Sequence, residues 1–127
     1  MTAVLHKIGK EALNTWIKTL KTQDPKQMVS LYHKDAILLP TLDSSLRSTH
    51  AKIEQYFESF LAKGPICEIQ EIQNIKLFSE SAVTVVGHYG FLFADKSKAN
   101  ARFTYVFTKA EDSDSWLIAH HHSSLQP

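Results

Sequence analysis

Three consecutive histidines, His120, His121 and His122, sit within the stretch "WLIAHHHSSLQP" at residues 116–127. Imidazoles so placed can ligate a metal, carry protons near neutral pH or line a binding pocket. Neighbouring side chains of a strand point to opposite faces, so the three cannot act together. His121 shares a face with Leu117, Ala119 and Ser123, whereas His120 and His122 share the other with Trp116 and Ile118. The same alternation sorts "RFTYVF": Phe103, Tyr105 and Phe107 point one way, and Arg102, Thr104 and Val106 the other. An imidazole, a phenol and a hydroxyl from His121, Tyr105 and Ser123 would then meet on a single face, a donor and acceptor set suited to a small organic molecule.

On the opposite face His120 and His122 form an i, i+2 pair that could chelate zinc or iron if a third ligand approached. The expected neighbours there, Trp116, Ile118 and Arg102, supply none, so no metal is assigned. Ser123 and Ser124 lie beside histidines, but no strand-to-helix nucleophile elbow or orienting acid accompanies them. Cys67 stands alone, which excludes an internal disulfide and points to a core position.

The elements that must hold these residues follow from periodicity. Ile8, Ala12 or Leu13, Trp16 and Leu20 recur at helical spacing. In "TQDPKQMVSLYHKD", Asp24 can cap and Pro25 begin a short second helix running to about Tyr32. "AILLP" reads as a buried strand stopped at Pro40. Ser48 or Thr49 can cap a third helix that buries Ile53, Tyr56, Phe57, Phe60 and Leu61 and stops at Gly64-Pro65. Beyond Pro65 the period falls to two, with strands expected at 66–78, 81–93, 99–109 and 116–124. The apolar phase slips between Ile69, Ile72 and Ile75, as a bulge or strong bend would require. The expectation is an α+β fold, a curved antiparallel sheet wrapped on three N-terminal helices, in one domain spanning 1–127.

Composition narrows the function. The chain has 127 residues, 43% hydrophobic and 21% charged, the profile of an ordinary globular domain. Its 14 basic and 13 acidic side chains are interspersed, without the clustered cationic footprint of a nucleic-acid binder. No signal segment or membrane-length apolar run is visible, so neither membrane nor nucleic acid is expected as a partner and a cytoplasmic location is. No Gly-rich dinucleotide fingerprint is present, and no cofactor is assigned. Asp112 and Asp114 belong to a solvated hairpin turn. A sheet apolar on both faces needs a second cover, which predicts a homodimer through Trp116, Ile118, His120, His122, Arg102 and Thr104.

The succession "DPKQMVSLYHKDAILLPT", "IEQYFESFL", "RFTYVF" and the tryptophan strand ending in "HHHSSLQP" resembles the nuclear-transport-factor-2-like superfamily, and within it the association domain of calcium/calmodulin-dependent protein kinase II and its stand-alone bacterial relatives. The resemblance implies a cone: a bent sheet around helices, a pocket inside and dimer contacts on the outer sheet face. It also implies that pocket positions held by arginines in the kinase domain are occupied here by His88, Tyr105 and Ser123, with Trp16, Tyr56 and Phe60 completing the wall. The carboxylate base of ketosteroid isomerases has no counterpart in "ILLPT", and Asp43 comes only in the following loop. Two functions are therefore expected: an association module holding a small organic molecule, or an enzyme using His121 or His88 as general acid/base.

Overall fold

The computed structural model describes residues 2–111 and 113–127; Asp112 lies outside the described residues. The elements are α1 (Thr2–Leu20), α2 (Pro25–Val29), β1 (Tyr32–Leu39), α3 (His50–Leu61), β2 (Ile66–Ser79), β3 (Ala82–Leu92), β4 (Lys98–Lys109) and β5 (Trp116–Leu125). Leu5, Leu13, Trp16 and Leu20 form the fully buried stripe of α1, with Ile8 and Ala12 half-buried along its edge. Helical spacing aligns these residues, and each large apolar side chain removed from water contributes roughly 1.5–3 kcal/mol.

Both expected caps are present. The Asp24 carboxylate accepts the Lys26 N–H at 2.9 Å with Pro25 beginning α2, and the Thr49 hydroxyl accepts the Lys52 N–H at 3.2 Å. Past α3, Gly64 adopts φ 63° and donates its N–H to the Leu61 carbonyl at 3.0 Å, a left-handed turn that glycine accepts without a Cβ clash. α2 ends at Val29 rather than near Tyr32, because Tyr32 opens β1 and pairs with Ile118. Hydrogen bonding to β5 outweighs the helical pattern there.

The sheet order is β1-β5-β4-β3-β2. β2 to β5 form the expected antiparallel meander, and β1 adds to its end parallel to β5, so the sheet is mixed. The residues of "AILL" carry no mark of strand direction. The curved sheet does not close. Its curvature has a local cause in β2, where register shifts leave Gln70, Gln73 and Phe78 as extra residues. The bulges at Gln70 and Gln73 return Ile72 and Ile75 to the core side despite their three-residue spacing from Ile69, and Leu77 follows by ordinary alternation, so all four pack inward. Gly87 on β3 makes one bulge sterically feasible: a Cβ there would stand 2.1 Å from the Glu71 carbonyl oxygen.

A further shift lies in β5. Val106 pairs with His120 but Phe107 with Ile118, so Ala119 is the extra residue. Its effect is to turn Ile118 inward, where it is 1% exposed. Ile118 is therefore a core residue and not part of an outer surface. Trp116 follows it, half-buried against the core in a groove of about 500 Å³ shared with Ile8, Ala12 and Leu31.

Candidate functional site

Tyr105, His121 and Ser123 come together on the inner face as expected, each buried. Register places Tyr105 opposite His121 and Phe103 opposite Ser123. The Tyr105 and His121 rings stack with centroids 3.9 Å apart, and Trp16 meets the imidazole edge-on at 5.5 Å. Tyr56 and Phe60 of α3 line the same interior from the helix side, stacked on each other at 5.4 Å.

His88 is not with them. β3 pairs with β4 without a register break, which turns Val83, Val85, Tyr89 and Phe91 inward and leaves His88 opposite Arg102 on the outer face. The inward position belongs to Tyr89, whose own strand alternation with Val83 and Val85 was the available signal. Tyr32 and Thr41, also buried here, were legible only through the tertiary path of β1 and the loop after it.

These residues form one chain of hydrogen bonds. The Trp16 indole N–H donates to the Tyr32 hydroxyl at 3.0 Å, which leaves the Tyr32 proton for His121 Nδ1 at 2.8 Å. His121 Nε2 must then carry the ring proton and donate to the Tyr89 hydroxyl at 3.2 Å. Tyr89 donates onward to Ser123 Oγ at 2.7 Å, and Ser123 meets the Thr41 hydroxyl. Tyr56 closes the far side by donating to the Thr41 carbonyl at 3.4 Å. A neutral imidazole fits every donor to an acceptor, whereas a protonated one would turn two donors against each other at Nδ1.

Electrostatics point the same way. Burial, with smaller contributions from His120 and His122, holds the His121 imidazole well below its usual titration range. Burial likewise raises the Tyr32, Tyr89 and Tyr105 phenols and pushes the Cys67 thiol up to about 12. The thiol is thus a core group, without the thiolate needed for reaction. Tyr105 Oη is buried without a hydrogen-bond partner; the Tyr89 hydroxyl is near enough to raise its pKa but does not satisfy it.

The interior is nearly full. Among Trp16, Tyr56, Phe60, Tyr89, His121 and Ser123 there remains about 10 Å³, the threshold for one water molecule. Outside it, a hollow of about 110 Å³ shares Thr41, Tyr56 and Phe60 and opens past Asp43, Arg47 and Lys63. Asp43 is held there as a carboxylate by Arg47, whose Nη2 lies 2.6 Å away and keeps its pKa low. It cannot serve as a base inside the cone.

On the outer face Arg102 and His122 are exposed, while Thr104 and His120 are half-buried. Thr104 pairs with His122 and Val106 with His120, and β1 places Leu39 and Ile37 on their other side. Of the six residues expected at a dimer contact, these four share the outer face; Ile118 and Trp116 do not.

A mixed, strongly bent sheet closed on one side by helices, with aromatic and hydroxyl side chains directed into it, is the nuclear-transport-factor-2-like cone. The model of the calcium/calmodulin dependent protein kinase II association domain matches residues 10–127, and the chain belongs to that family. A protein of the same description from Xanthomonas campestris is 36% identical, over 91% of this chain and 83% of its own, with a TM-score of 0.86. A nuclear transport factor 2-like protein from Salmonella enterica aligns with a TM-score of 0.81 at 15% identity, covering 99% of this chain and 93% of its own. A ketosteroid isomerase-like protein from Erwinia carotovora gives 0.79 at 13%, covering 95% and 96%. These two show likeness of fold alone. No curated protein matches the chain.

Proposed function

We propose that this chain is a homo-oligomeric association module whose copies pair through the outer face of β3, β4 and β5. One observation carries this reading: Arg102, His120 and His122 lie on that face without a side-chain hydrogen bond or ion pair among the described residues, interleaved with half-buried Val86 and Val106 and with Ile37, 36% exposed. Apolar side chains flanked by unpartnered donors make a surface that a second copy can cover and satisfy. The interior network then serves to order the strands. Membership of an association-domain family supports the same reading. Sedimentation velocity at micromolar concentration tests it: a dimer or larger assembly is expected, with dissociation on Val106→Lys at the centre of the face. A monomeric parent protein would overturn it.

A second reading has an observation of its own. The outer hollow, which shares Thr41, Tyr56 and Phe60 with the residual space beside His121 and Ser123, favours a small uncharged or weakly acidic organic molecule, admitted when Thr41 and Tyr56 move aside. Catalysis by His121 would require the same opening, because both ring nitrogens are engaged. A thermal-shift screen of small organic acids, paired with assays of their conversion, separates binding from turnover. Failure of every compound to stabilise the parent protein more than His121→Gln would remove this reading.

A further inference from the structure

We propose that His120 and His122, together with the same two residues of a second copy, form a four-imidazole site for a divalent transition metal, with zinc the ion it suits. The inference rests on the association reading and adds a ligand to it. His120 and His122 are alternate residues of β5 beyond the Ala119 bulge, so both imidazoles leave the same face. Alternate residues of a strand are separated by roughly 7 Å at Cα, a span two imidazoles can close onto one ion.

Like His120 and His122, His6 and His88 make no side-chain hydrogen bond among the described residues, but neither has a second imidazole two residues away on its own face; the remaining rings are committed. His121 is bonded at both nitrogens, His50 Nε2 contacts two backbone carbonyls and His33 Nδ1 accepts the Asp35 N–H. No side-chain hydrogen bond or ion pair among the described residues involves His120 or His122. Ile37 and Val106 flank the half-buried His120, and Leu39 and Thr104 flank the exposed His122.

One copy cannot complete the site. Among the described residues no three His, Cys, Asp or Glu side chains are grouped to hold an ion. Zinc favours four ligands in a tetrahedron and accepts neutral imidazole nitrogens. An isologous contact across this face presents each residue to the symmetric surface, so a two-fold axis near β5 doubles the pair into the required four. Arg102, two residues from Thr104 along β4, places positive charge on the same face and opposes the ion; the coordination bonds must outweigh it.

The test uses the full chain prepared without a histidine tag, stripped with chelator and titrated with zinc while assembly is followed by sedimentation and binding by calorimetry. The expected result is about one ion per two chains and a dimer tightened at least about tenfold, both lost in His120→Ala and His122→Ala and kept in His6→Ala, an exposed histidine of α1 away from this face. Cobalt as a substitute should give the intense visible bands of tetrahedral coordination, a readout that does not depend on any variant folding. A dimer in chelator that neither binds zinc nor responds to it overturns the metal site and leaves the association reading standing. One ion per chain without any effect on assembly also overturns the shared site. A monomer in chelator and zinc alike overturns both.

Discussion

His121 makes a quantitative prediction about pH. In the unfolded chain its imidazole titrates near the ordinary value of 6.5, and in the fold burial holds it well below that. The unfolded state therefore binds the extra proton first, and stability must fall as pH is lowered through and below the unfolded value. At full effect one such group costs about 1.4 kcal/mol per pH unit, which bounds the loss between pH 7 and pH 5 at about 2 kcal/mol. Asp43 and Asp95, whose pKa values are lowered, contribute stability that is lost only as pH falls into and below the carboxylate range, so they leave this window undisturbed. Urea denaturation at half-unit steps from pH 5 to pH 7, at fixed protein concentration, measures the slope. His121→Gln, which keeps a donor and an acceptor but takes up no proton, should be less stable at pH 7 and should lose that part of the slope. An equal slope in parent and variant would show that the imidazole is not held neutral, and the assigned direction of the Trp16–Tyr32–His121–Tyr89 chain would fall with it.

Gly87→Ala should cost more than about 2 kcal/mol, since the new methyl meets a backbone oxygen rather than a movable side chain; a smaller loss in chemical denaturation would mean that the β2 bulge can relax. Tyr105→Phe removes a buried hydroxyl that has no partner, so stability should hold or rise by about 1 kcal/mol. A clear loss in the same assay would reveal that the hydroxyl is satisfied in solution. Asp24→Ala should lower stability by about 1 kcal/mol through loss of the α2 cap, with Asp24→Ser recovering most of it.

Much of the site could be read before any coordinates. Alternation alone sent Tyr105, His121 and Ser123 to one face and Arg102, His120 and His122 to the other, because β4 and the end of β5 pair without interruption from Val106–His120 to Ala101–Leu125. His88 was misplaced because its position came from the family likeness rather than from the parity of β3, which favoured Tyr89. Ile118 and Trp116 were misplaced for another reason: one bulged residue, Ala119, inverts the parity of everything before it, and nothing in "WLIAH" announces the bulge.

Local chemistry thus determined the helices, their caps, the meander and the three inward polar residues, since each depends on neighbours a few positions away along the chain. Tertiary structure decided the parallel placement of β1, the bulges, the arrival of Tyr32 and Thr41 beside His121 and the near-complete filling of the cone. Those outcomes depend on which distant groups can satisfy one another once water is removed, and hydrophobic periodicity carries no record of that matching.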